Sequence, residues 1–204
     1  MMYQLGFVPG KRPSVDLIVG LRKIYGLIFF DLRGEIDSEW VFVDGSYIRA
    51  HQHASGARIG KERAIGRSRG GSTTKIHMAC DAHGNPIDFE ITGGEVHDSK
   101  AAPQIIEKVK GAKNFIADKG YDSEAIREQA RTEKMNPVIP RKANSKKANQ
   151  EFDSHLYKVR HLIENLFARL KHFRGIATRF EKLARNFKAV VYIGCTIIWL
   201  RIGR

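Results

Sequence analysis

Two short apolar runs constrain this chain most: Trp40-Val-Phe-Val and Phe115-Ile-Ala117 are each followed at once by an aspartate, Asp44 and Asp118. An apolar run of this length with no alternation suits a strand buried on both faces of its sheet. Such a sheet needs a helical layer on each side, and neighbouring strand ends would bring the two carboxylates to one edge. An Asp after a strand is also the ordinary cap of the next turn or helix, so neither residue says much singly.

The remaining sequence supplies the other parts of that layout. Thr73 to Asp81 reads as a strand, Ala82-His-Gly-Asn-Pro86 as a turn, and Ile87 to Thr92 as the returning strand of a hairpin. Asp98 or Ser99 is placed to cap a helix to about Lys110, and Asp122 or Ser123 a second to about Lys134. Asn136-Pro-Val-Ile-Pro140 is a short fifth strand, followed by a long helix from about Ser154 to Phe173 and a last apolar helix over Leu183 to Ile202. The order predicts an α/β chain with a mixed sheet flanked by helices. Ahead of it, residues 1–39 form a leader in which Ser14 can cap a helix running through Leu21 to Phe30.

Charge narrows the partners. Lys and Arg number 35 against 22 Asp and Glu, a net +13, and a surplus of that size favours phosphate polymers, with anionic membrane second. With 42% hydrophobic residues the chain can bury a core, which argues against general disorder. The apolar stretch Ala189 to Leu200 falls short of the about 20 residues that a membrane span needs. Cys80 and Cys195, far apart and outside any CxxC pattern, read as small buried hydrophobes of a reducing compartment. The expected location is cytoplasmic, on the nucleoid.

The long helix carries the most information. Tyr157, Arg160, Glu164 and Lys171 stand at offsets of 0, 3, 7 and 14, within an arc of about 60° at about 100° per residue. Leu156, Ile163, Leu166, Phe167 and Leu170 fill the adjoining arc, which suits packing on a sheet. Glu164 at that boundary can reach a metal while Arg160 and Lys171 meet phosphates. The spacing fits a solvated face with an Arg160–Glu164 ion pair equally well.

The stretch Tyr157-x2-Arg160-x3-Glu164-x6-Lys171 resembles the signature around the last acidic residue of bacterial insertion-sequence transposases of the DDE type. Asp44-Gly-Ser-Tyr-Ile-Arg-Ala-His51, Ala64-Ile-Gly-Arg-Ser-Arg-Gly-Gly-Ser-Thr-Thr-Lys75, Gly93-Gly-Glu-Val-His-Asp98 and Ala117-Asp-Lys-Gly-Tyr-Asp122 are similar to further segments of that family, in its order. The nearest group is the one named after insertion sequence five, and the likeness runs from about Trp40 to Arg201. It implies a ribonuclease H-like fold over residues 40–204 and a metal-binding catalytic triad of Asp44, Asp118 and Glu164. It also implies Mg²⁺ or Mn²⁺ as a pair of ions, and hydrolysis at the element's ends followed by strand transfer. The expected partner is double-stranded DNA, both ends and target, with a homo-oligomer assembled on it.

Further residues follow from charge and position. Arg58, Lys61, Arg63, Arg67 and Arg69 lie among five glycines between Ala54 and Ser72, a flexible cationic loop expected to grip phosphates, with Lys75 beyond it. Arg141, Lys142, Lys146 and Lys147 form a second basic segment, and Lys119 and Tyr121 flank Asp118 where a DNA strand would pass. Tyr157, Arg160 and Lys171 complete the expected DNA contacts. His97 and Asp98 either line the same edge or cap the next helix, and His51 and His53, with no Cys nearby, make a weak zinc pattern. The leader is shorter than the end-binding region that the family carries, and is expected to be the remnant of a truncated one. Two other readings stay open: a ribonuclease H-like nuclease that cuts without joining, and a non-catalytic DNA-binding regulator.

Overall fold

The computed structural model describes residues 24–31, 39–55, 63–145, 148–149 and 152–200. The proposed Ser14 cap and Arg58, Lys61, Lys146 and Lys147 lie outside them. A helix α1 covers 24–31. Then come β1 (Trp40–Ala50), α2 (Gln52–Ser55), β2 (Gly66–Ser68), β3 (Gly71–Cys80) and β4 (Pro86–Gly93). They are followed by α3 (Asp98–Lys108), β5 (Asn114–Ala117), a 3₁₀ turn (Lys119–Tyr121), α4 (Glu124–Thr132) and β6 (Asn136–Val138). The chain closes on α5 (Ser154–Lys158), α6 (His161–Lys171), α7 (Arg174–Ala177), β7 (Thr178–Arg179) and α8 (Ala184–Leu200).

The strands form one mixed sheet. β1 is antiparallel to β3, and β3 to β4. β5 runs parallel to β1, and β6 to β5. The core order β4-β3-β1-β5-β6, three antiparallel strands and two parallel ones, is the ribonuclease H-like arrangement that the element order predicts. Side chains alternate across β1. Val41 and Val43 join Ala79 and Phe115 in a core under α3 and α4, with Ile105, Ile106 and Ile126. Phe42 joins Met78, Phe89 and Ile116 under α6 and α8, with Ile163, Leu166, Leu170, Val191 and Cys195. Each such side chain, fully buried, contributes about 1.5–3 kcal/mol. Phe29 of α1 reaches the second core, its ring 5.5 Å from that of Tyr192.

Three elements differ from the sequence reading. β1 does not end at Asp44 but runs six residues further, because β3 pairs with it as far as Arg49. β5 stops pairing at Val43–Ala117, so Asp44 sits where one neighbouring strand has just ended. The long helix is broken: Val159 and Arg160 bond to carbonyls three residues back, tightening the backbone between α5 and α6. The expected flexible loop is partly ordered, since Gly66–Ser68 folds back on β3 through the Arg69-Gly70 turn. The cap of α3 is neither Asp98 nor Ser99 but His97, whose Nδ1 accepts from the Ser99 amide.

Candidate active site

By strand alternation Asp44 faces the α6 side of the sheet, alongside Phe42. Its Oδ1 accepts from the Gly45 amide at 2.8 Å, and its Oδ2 accepts from Arg160 Nη1 at 2.8 Å. Arg160 Nη2 donates to Glu164 Oε1 at 2.5 Å. One guanidinium therefore joins the first and last acids of the expected triad, and Glu164 lies on the same side of the sheet as Asp44. Asp118 follows β5 directly and accepts from the Gly120 amide at 2.8 Å, closing the 3₁₀ turn. Burial raises the pKa of Asp44 and the charge of Asp118 adds to the rise, against the lowering effects of Gly45 and Arg160.

A fourth carboxylate approaches from the other face. Gly45 and His77 are register partners, as are Tyr47 and Lys75. A Cβ on Gly45 would run into Asp98 Oδ1, so the missing side chain is the seat of Asp98. Lys75 Nζ donates to both Asp98 oxygens at 3.1 and 3.3 Å, and His77 Nδ1 lies 3.3 Å from Oδ1. Burial works against the Asp98 charge, but His77 and Lys75 hold its pKa below the usual carboxylate value. Tyr121 is fully buried with a hydroxyl that has no hydrogen-bond partner. Burial, then the charges of Asp98, Asp44 and Asp118, push its pKa far up.

Among the described residues no three His, Cys, Asp or Glu side chains stand close enough to share one ion; Arg160 stands between Asp44 and Glu164. The donors at this edge are nevertheless all oxygen, and include a buried hydroxyl lacking a partner and a buried carboxylate pushed toward its neutral form by a neighbouring one. That set suits a hard divalent cation, which takes oxygen ligands and would offset the repulsion. Asp44, Asp118 and Glu164 are the residues able to hold it.

The expected DNA contacts divide by exposure. Arg67, Arg69, Lys119, Lys142 and Lys171 are exposed. Lys75 is not: its side chain is 4% exposed and committed to Asp98, so it offers no charge to a strand passing over the surface. Arg141 pairs with Glu124 and lies 3.8 Å from Asp122, which makes it part of the α4 framework. Tyr121 is core and does not line a DNA path. Tyr157 is half-buried, its ring packed on Phe152 at 5.3 Å and beneath the Arg160 guanidinium at 5.8 Å. Arg63 is half-buried, and its carbonyl accepts from Arg179.

Arg179 was not legible as a key residue. Its guanidinium is fully buried and donates to the carbonyls of Arg63, Ala64 and Glu181 and to the Thr74 hydroxyl, at 2.6–3.0 Å. Burial lowers its pKa to about 10. These bonds tie the end of the cationic loop, including the left-handed Ala64 (φ 44°), to β7 and β3. The sequence signal for Asp98, by contrast, was present in Gly45, a glycine inside a run of strand formers.

Comparison with known proteins converges on one family. The model of the transposase DDE domain matches residues 37–200. The putative transposase for insertion sequence element IS6501 of Brucella ovis is 35% identical over 130 residues, 63% of this chain and 99% of that one. The putative transposase for IS402 of Burkholderia cepacia is 35% identical over 150 residues, 68% of this chain and 67% of that one. A piggyBac transposase structure, a synaptic complex with hairpin DNA, shares the fold at a TM-score of 0.51 and 10% identity. The match covers 92% of this chain and about half, 53%, of the piggyBac chain. With the sheet order and the motif-bearing segments inside the matched residues, the chain belongs to the transposase DDE domain family, the DDE-type enzymes of DNA transposition.

Proposed function

We propose that this chain cuts and rejoins DNA at insertion-sequence ends through a metal centre held by Asp44, Asp118 and Glu164, and that its group is the one named after insertion sequence five. The observation that carries the reading is the Arg160 bridge from Asp44 to Glu164, across 116 residues of sequence, beside the Asp118 turn. Two ions, Mg²⁺ or Mn²⁺, would supply charge to the attacking and leaving oxygens of an in-line displacement at phosphorus. The chain's own part is placement. Asp44 and Asp118 present oxygens from rigid strand positions, and Glu164, 55% exposed on α6, closes from the side. Arg160, once the carboxylate charge is taken up elsewhere, is positioned to pair a phosphate oxygen. Arg67, Arg69, Lys119, Lys142 and Lys171 supply exposed positive charge for the DNA backbone.

The nucleophile is water for end cleavage and a DNA 3′ hydroxyl for strand transfer, so no protein group forms a bond to phosphorus. The partners are the element's ends and target DNA, with copies of the chain assembled on them in the nucleoid. Exposed Ile24 and Leu27 on α1 support such assembly, and no helix among the described residues is long and apolar enough to cross a membrane. The test supplies a preprocessed 3′ end and a supercoiled target with Mg²⁺ or Mn²⁺. Covalently joined products, absent with Asp118→Asn, are expected. Hydrolysis with no joined product would make the chain a nuclease.

A further inference from the structure

We propose that the cavity beside Tyr47 seats one unstacked nucleotide of the DNA strand bound at the active edge. The inference rests on the DNA-cutting reading and adds a binding site to it. β1 continues past Asp44, and Tyr47 and Arg49 alternate onto the α3 face. Tyr47 is 50% exposed, yet its ring is held in place. Lys75, its register partner, sets Nζ 4.3 Å from the ring centroid and anchors the same ammonium on Asp98.

The rest of the ring opens on a cavity of about 640 Å³ lined by Tyr47, Ser68, Arg69, Gly70, Thr73 and Gly94. The walls are small and polar. Thr73 Oγ1 donates to Ser68 Oγ at 2.9 Å, and the Arg69-Gly70 turn carries an exposed guanidinium. Glu95 turns its carboxylate over Gly66 and Gly93 and is not among the lining residues.

A fixed aromatic face, a neighbouring arginine and glycine walls are what a base and its phosphate require. Any base has a π-face to stack on tyrosine, and the guanidinium takes the phosphate. A paired base keeps its faces in the stack, so the ligand is an unpaired or extruded nucleotide, for which the opening cost is least at a frayed or single-stranded end. The location fits. Tyr47 lies three residues beyond Asp44, about 10 Å along the strand, which is about three nucleotides of rise. The seated nucleotide would therefore sit close to the phosphate at Asp44.

The test uses the full chain and two labelled duplexes, one blunt and one with a two-nucleotide unpaired end. We expect the unpaired end to bind about ten-fold tighter. Tyr47→Ala should bring that ratio down to about one, Tyr47→Phe should keep it, and abasic sites in the overhang should abolish it with the wild-type chain. Deoxyadenosine monophosphate should compete poorly; competition at the strand's own concentration would make this a free-nucleotide site and overturn the proposal. A ratio near one in the wild type, or one that survives Tyr47→Ala in a variant with an unchanged melting curve, also overturns it. If both duplexes are bound and cut without preference, only the Tyr47 seat fails; if neither is bound, the DNA-cutting reading fails with it.

Discussion

Asp122 illustrates how a residue flanking the site stabilises the fold without taking part in the chemistry. It is 8% exposed, with Oδ2 accepting from the Lys142 amide at 2.8 Å and Oδ1 from Arg127 at 2.9 Å. Burial opposes its charge, but the Lys142 amide and Arg127 hold its pKa below the ordinary value. A carboxyl whose folded pKa is depressed contributes stability above its unfolded pKa, about 3.9, and loses it as pH falls through the folded value. Asp122→Asn should therefore cost about 3 kcal/mol at pH 7, leaving the buried Arg127 without its counter-charge. The difference from wild type should narrow below about pH 4. Urea melts at pH 7 and pH 3 check this, and an equal difference at both would contradict it. The sequence offered Asp122 only as a cap. Its partners Arg127 and Lys142 are ordinary basic residues until α4 and the following segment fold together. Arg160 is similar: its spacing to Glu164 was readable as an ion pair, whereas its bond to Asp44 exists only once α6 lies on β1.

At the scale of elements, apolar patterning was the strong signal and pairing length the weak one. The β3–β4 hairpin and the short buried run of β5 fall where their composition predicts. β1 was read too short because its second half is held by β3 and β7, partners distant in sequence, and by Ile48 alone among fully apolar core residues. The break before α6 was invisible because no Gly or Pro marks it; the backbone tightens where Val159 packs on the core and Arg160 turns to Asp44. α6 carries Glu164 and is anchored by Ile163, Leu166 and Leu170, each fully buried. Leu166→Ala should cost about 3 kcal/mol by leaving a cavity under the helix. In a chain of this size that lowers Tm by about 6–12 °C. Calorimetry checks it, and a shift of under about 2 °C would mean that α6 is not anchored through this side chain.

At the scale of the molecule, the mixed sheet sets acids from distant parts of the chain around one edge. Its α6 face holds the Asp44–Arg160–Glu164 bridge, and its α3 face holds Asp98 against Lys75 and His77. The motif order made the triad and the family legible. The composition made a phosphate partner legible, but not which cations reach it: Lys75 and Arg141 are absorbed into ion pairs, while Arg67 and Arg69 stay at the surface. The central claim, that Asp44, Asp118 and Glu164 together hold the cutting metal, is tested most directly by Glu164→Gln. That change keeps size and hydrogen bonding while removing the charge. Metal-dependent nicking of an end-bearing duplex should fall by several orders of magnitude, with DNA binding in the absence of metal unchanged or slightly tighter. Nicking by the Gln variant at the wild-type rate would contradict the assignment.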